Sequence, residues 1–222
     1  MKQTETTKKI KRMSVTAMFC ALAFVLTYIK VPVMFLSLEV KDAAIVLSTL
    51  LFGPLSGLFI AVVVPFLELI THSTTGVYGF IMNLLSSVTF SMVTGLIYKY
   101  RKSFYGAIVG LISGVMAVTA VMMLANLLIT PYYMHVSVDV VANMIPTVLL
   151  PFNFVKATLN GAIVLLLYKP LSTVLKRAGF LAASPVKTEE QGKKSPLRSV
   201  VVSVVALVII AISLSIVFFV LK

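Results

Sequence analysis

Charge is scarce in this chain, and acidic charge scarcest of all. Only 12% of the 222 residues are charged, and 7 acidic residues stand against 19 lysines and arginines. With 59% hydrophobic residues and a mean hydropathy of +1.06, a soluble domain of this size could not bury its own apolar surface. Lipid is therefore the expected solvent. A single cysteine, Cys20, excludes an internal disulfide and offers no metal site. The two histidines, His72 and His135, fall in separate expected loops without ligand-type spacing and read as ordinary loop residues. There is no G-x-x-x-x-G-K-[ST] run, so the chain cannot cradle ATP in a P-loop. No histidine and no pair of aspartates falls inside an apolar span, which argues against an intramembrane hydrolase. No internal repeat is visible, which argues against two inverted halves of a secondary transporter.

What is present is a series of long apolar runs. The expected spans cover about 13–31, 43–52 (short for a crossing), 55–71, 80–98, 104–129 and 149–168, with a seventh run from Val200 to Leu221. The first run is too long for a removed signal peptide, lacks a clear cleavage site and is followed by further spans. Asp42 is the expected N-cap of the second segment, Gly53-Pro54 a tight break, and Thr130-Pro131 the end of the fifth span, before a loop of about 20 residues. The fold class expected is an all-α integral membrane bundle of six helices plus one additional C-terminal helix. Its parts are a basic arm (1–12), a six-span domain (13–177), a basic linker (178–199) and the seventh helix (200–222).

The net charge of +12 could suggest nucleic acid, but the basic residues flank membrane spans instead. Fifteen of the 19 lie in the N-terminal arm, the 99–102 turn and the segment from Lys169 to Arg198, all on one side if the spans alternate. The positive-inside rule then makes the N-terminus cytoplasmic and the C-terminus, after seven spans, extracellular.

One span carries a lysine. Lys156 lies between Asn153 and Asn160, and at 100° per residue the three side chains fall within about 60° on one helical face. A charge near the centre of a bilayer helix costs on the order of 2.5–3.5 kcal/mol, unless it faces protein, water or ligand or snorkels to the interface. With the orientation above, Glu68, Asn83, Asn126, Asn153, Lys156 and Asn160 all sit in the outer half of the membrane or near its middle. A proton relay or pore needs polar groups through the full depth, so the pattern describes a pocket open to the outside. Membrane asparagines also serve as packing glue between helices, and that reading stands beside the pocket. In the first span Ala17 and Ala21 are spaced small-xxx-small, which allows close helix approach in lipid.

These residues resemble a family. The run Lys11-Arg12-Met13-Ser14-Val15-Thr16-Ala17-Met18 is similar to the first helix of the substrate-binding (S) components of energy-coupling-factor vitamin importers. Thr130-Pro131-Tyr132-Tyr133-Met134 and Pro151-Phe152-Asn153-Phe154-Val155-Lys156 resemble the riboflavin-specific branch, as does the first outer loop from Phe35 to Asp42. Two departures mark this chain. The loop reads Leu-Glu-Val-Lys-Asp where the branch pattern has Leu-Asp-Phe-Ser-Asp, and the third span carries Glu68 where the pattern has a basic or neutral residue. The resemblance implies a non-enzymatic, multi-pass protein of the bacterial plasma membrane that captures riboflavin from outside. Its partners would be a membrane coupling subunit, two ATPase subunits and the bilayer; it would need no cofactor and bind no nucleic acid. Asn153, Lys156 and Asn126 would bond the flavin, and Leu38, Glu39, Gly79, Asn83, Thr130, Tyr132 and Asn160 would complete the pocket. Ala17 and Ala21 would face the coupling subunit. An S component for another vitamin or precursor, and a membrane assembly protein, are the alternatives. An apolar slot with a few directed polar groups suits an isoalloxazine ring. The absence of arginine from the spans removes a bidentate phosphate clamp and favours the uncharged vitamin.

Overall fold

The structure, a computed structural model, describes residues 5–181 and 196–219. The remaining positions, including most of the expected linker, lie outside the described residues. Helix α1 (Glu5–Leu26) leads into a hairpin of β1 (Lys30–Val33) and β2 (Leu36–Glu39), then α2 (Lys41–Phe52), α3 (Pro54–Thr71), α4 (Gly76–Tyr100) and α5 (Phe104–Met134). A short α6 (Val138–Met144) and a π-helical turn (Ile145–Leu149) enter α7 (Leu150–Arg177), and α8 (Pro196–Phe219) follows. Among the described residues, Pro54–Thr71, Gly76–Tyr100, Phe104–Met134 and the stretch Val138–Arg177 are long and apolar enough to cross a bilayer. Large side chains such as Leu55, Phe59, Ile112 and Leu128 point outward. In water such a surface would be a liability; in lipid it is the solvated face. The chain is a multi-pass membrane protein, a six-helix bundle with α8 as an added helix.

Hydrophobicity cannot hold helices together in lipid, so close contact must. Helix α3 crosses α2 and α4 at Gly57, where a Cβ would run into the Thr49 and Ser91 hydroxyls, themselves hydrogen-bonded at 2.7 Å. Gly95 lies on Thr49 and Pro54, and Gly114 lies on Thr94 and Phe90. A Gly57→Val protein should lose about 1–3 kcal/mol through overpacking, read as a lower midpoint of thermal unfolding in detergent. An unchanged midpoint would show that this crossing can open without cost.

Three expectations are corrected. The first outer loop is not irregular: its register pairs Lys30 with Glu39 and Val33 with Leu36, leaving a two-residue turn. Met34 at its tip has φ 54°, the positive value such tight turns need and one that side chains other than glycine resist. Asp42 does not cap α2. Val40 occupies the N-cap position, the N–H of Ala43 goes to Asn160 Oδ1 of α7 at 2.8 Å, and Asp42 accepts from Ser87 at 2.5 Å. Finally, α5 runs through Pro131 to Met134. A proline removes one N–H and crowds the preceding turn, but here the helix continues, with the N–H groups of His135 and Val136 closing on the Pro131 carbonyl.

Helix α8 packs along α7. Its Ile210 and Ile216 join a buried cluster of Val33, Leu38, Phe152, Val155 and Leu159 that backs the hairpin onto α7.

Candidate functional site

The hairpin end of the bundle holds an open cleft of about 870 Å³, its mouth included. One wall is α5 and α7, which carry Asn126, Thr130, Asn153 and Lys156. The opposite wall is α3, α4 and the turn between them, with Glu68, Thr75, Gly79 and Asn83. The hairpin closes one side with Phe35, Ser37 and Glu39, and Tyr78, Tyr133 and Phe152 add aromatic surface. Apolar walls with a few convergent polar groups suit a small organic ligand.

The α5–α7 wall presents a defined set of donors and acceptors. Asn153 Nδ2 donates to its own helix at the Leu149 carbonyl (2.8 Å), and its Oδ1 has no partner among the described residues. One turn on, Lys156 Nζ donates to the Ser37 carbonyl at 3.3 Å and keeps further N–H groups for the cleft. Lys156 is therefore held against the hairpin. Asn126 Nδ2 bonds the Met122 carbonyl at 2.7 Å, while its Oδ1 accepts from Thr130 at 2.9 Å. The wall thus offers an acceptor at Asn153 beside a cation at Lys156.

Behind the other wall lies the largest fully buried side chain of the described residues, Lys41. Its Nζ is 2.7 Å from Glu39 Oε2 and 2.5 Å from Glu68 Oε2. Asn83 Nδ2 also donates to Glu68 Oε2, at 3.1 Å. The two departures of the sequence, a lysine in the first loop and a glutamate in the third span, are thus one feature: each compensates the other. A buried cation between two carboxylates is tolerable where either charge alone would not be. Burial pushes the Glu39 carboxyl up, but the ammonium groups of Lys156, Lys41 and Lys30 together hold it below the ordinary carboxylate range.

Seven of the ten residues expected to bind ligand line this cleft: Asn126, Thr130, Asn153, Lys156, Glu39, Gly79 and Asn83. Three do not. Leu38 points away from it into the cluster with Phe152 and Val155, because strand alternation puts Ser37 and Glu39 on the cleft side instead. Tyr132 is exposed, and Tyr133 lines the cleft in its place. With α5 continuing past Pro131, Asn126, Thr130 and Tyr133 share one face at i, i+4 and i+7; ending the helix at Pro131 hid that signal. Asn160 is structural: its Nδ2 bonds the Glu39 and Lys156 carbonyls at 2.8 and 2.9 Å, and its Oδ1 holds the start of α2. This is the packing role that membrane asparagines often play. Sequence reasoning marked Lys41 only as part of a departure in the first loop and gave it no partner and no role. Ala17 and Ala21 are exposed on α1, whose buried face is Val15, Phe19 and Ala23.

Comparison with known proteins agrees with this architecture. Residues 11–172 match the family described as the substrate-specific component of ECF transporters. The riboflavin transporter RibU of Staphylococcus aureus (strain TCH60) is 32% identical over 177 residues, covering 75% of this chain and 93% of that protein. The riboflavin transporter FmnP of Bacillus subtilis (strain 168) is 29% identical over 161 residues, covering 67% and 85%. A solved structure of the S component of a bacterial ECF transporter superposes with a TM-score of 0.66 at 32% identity, over 76% of this chain and 99% of that one. The family match spans the six-helix bundle that shapes the cleft, and the chain belongs to the substrate-specific components of ECF transporters.

Proposed function

We propose that this chain is the riboflavin-capturing subunit of an ECF-type importer. The observation that carries the reading is the pairing on α7: an open acceptor at Asn153 Oδ1 one turn from the Lys156 ammonium, both facing an aromatic-lined cleft. The imide edge of an isoalloxazine ring alternates N–H and C=O, and this wall supplies an acceptor for the first and a donor for the second. Both related transporters described above carry riboflavin in their names.

Riboflavin is cargo in this reading; no cofactor is needed and the chain performs no chemistry. The positive-inside rule, applied to the basic segments of the sequence, supports a cytoplasmic N-terminus, a cleft open to the extracellular side and a C-terminus outside. A membrane coupling subunit docks on α1 at Ala17 and Ala21, and two ATPase subunits supply the energy.

The protein purified from cells grown with riboflavin should carry a flavin absorption spectrum and quench added riboflavin fluorescence. A colourless protein that quenches nothing sinks the reading. Lys156→Ala and Asn153→Ala should each weaken binding by about 1–3 kcal/mol, the cost of an unmade buried hydrogen bond, or roughly 5–150-fold in Kd. Unchanged Kd in both variants places the ligand elsewhere.

A further inference from the structure

Glu68 is nine-tenths buried on α3, yet it faces the cleft and its two oxygens stand in different positions. Oε2 is fully engaged by Lys41 Nζ at 2.5 Å and Asn83 Nδ2 at 3.1 Å. Among the described residues, Oε1 has only Lys30 Nζ at 4.0 Å, beyond hydrogen-bonding distance. A carboxylate oxygen in so sheltered a wall, with no donor of its own, takes donors from whatever enters. The surroundings are hydroxylic: Ser73, Thr74, Thr75 and Ser86 line the cleft along the same wall. The imide-matching pair and the aromatic side chains Phe35, Tyr133 and Phe152 belong to the rest of the cleft.

We propose that Glu68, fixed by Lys41 and Asn83, is a specificity-determining residue that accepts hydrogen bonds from the hydroxylated side chain of the ligand. This rests on the flavin reading above and divides the cleft into two parts. The α5–α7 wall reads the ring, and the α3–α4 wall reads the polyol. Adjacent hydroxyls of a polyol can both donate to one carboxylate, and each such charge-assisted bond is stronger than a neutral one. A phosphate monoester on the same side chain would instead set negative charge against Glu68.

The test uses two flavins with one ring. Riboflavin carries the polyol; lumiflavin carries a methyl group in its place. The unchanged protein should bind riboflavin at least about tenfold more tightly than lumiflavin, the scale of a lost charge-assisted bond. Equal affinities overturn the proposal without any variant having to fold. Glu68→Gln then sharpens the result. Its amide oxygen keeps the Lys41 and Asn83 contacts and its NH2 turns the cleft-facing acceptor into a donor. The riboflavin Kd should rise about tenfold while that of lumiflavin stays within about twofold. If both Kd values rise together, Glu68 is a structural residue and the proposal fails; if neither rises, Glu68 touches no ligand and it fails again. Failure of both flavins to bind the unchanged protein overturns the flavin reading itself, and this proposal with it.

Discussion

Replacing Lys41 by methionine should be among the most damaging single changes in the chain. Methionine fills nearly the same volume, so the substitution removes charge and little else. It leaves Glu39 and Glu68, 4% and 5% exposed, facing each other without the cation that lay between them at 2.7 and 2.5 Å. Breaking a buried ion network by removing one member costs about 3–5 kcal/mol. For a chain of this size that corresponds to a drop of roughly 6–20 °C in the unfolding midpoint. The control is a double substitution. Lys41→Met with Glu68→Gln removes one charge of each sign, and an uncharged, shape-matched replacement of a buried pair is often nearly neutral. The double variant should therefore recover most of the loss of the single one. If Lys41→Met alone melts like the unchanged protein in detergent, or if the double variant is no better than the single, the network does not hold the hairpin, α2 and α3 together as described.

The same network marks the limit of what could be read from the sequence. The apolar runs located the spans because lipid demands about 20 consecutive apolar residues, and that constraint is local. Helical spacing located Asn153 and Lys156 together for the same reason. Lys41 stood in what read as a loop, where a lysine has no cost and calls for no partner. Its partner Glu68 is 27 residues away on another helix, and no periodicity connects them. The residue became visible only once the hairpin had formed: four residue pairs from Lys30↔Glu39 to Val33↔Leu36 turn the chain back and bury the start of α2. The stretch after Thr130 misread for a different reason. Proline punctuates helices in water, but in a membrane protein the freed groups find other partners and the helix continues. That continuation puts Tyr133, not Tyr132, in the cleft. Asn160 shows the converse case: its helical face was read correctly and its role was not. A face tells which way a side chain points, and whether it meets a ligand or the backbone of α2 depends on the neighbouring helix.

The second large effect concerns a surface that the bundle itself does not use. Helix α1 packs inward through Val15, Phe19 and Ala23, all nearly inaccessible, whereas Ala17 and Ala21 lie one turn apart on its exposed side. Alanines at that spacing leave a shallow strip on which another helix backbone can come close, and such approach is what drives association in lipid. Against lipid alone the strip has no purpose, and a larger side chain there would cost nothing. Against the proposed coupling subunit, a tryptophan would hold the two helices apart by several ångströms. Ala17→Trp or Ala21→Trp should therefore abolish riboflavin uptake by whole cells, while the purified variants bind riboflavin with unchanged affinity, since the cleft lies at the hairpin end, on α3, α4, α5 and α7. The separation of the two readouts carries the argument. Loss of binding along with uptake would mean that the substitution had disturbed the fold. Normal uptake in both variants would mean that α1 faces lipid, and that the coupling subunit docks on another face of the bundle.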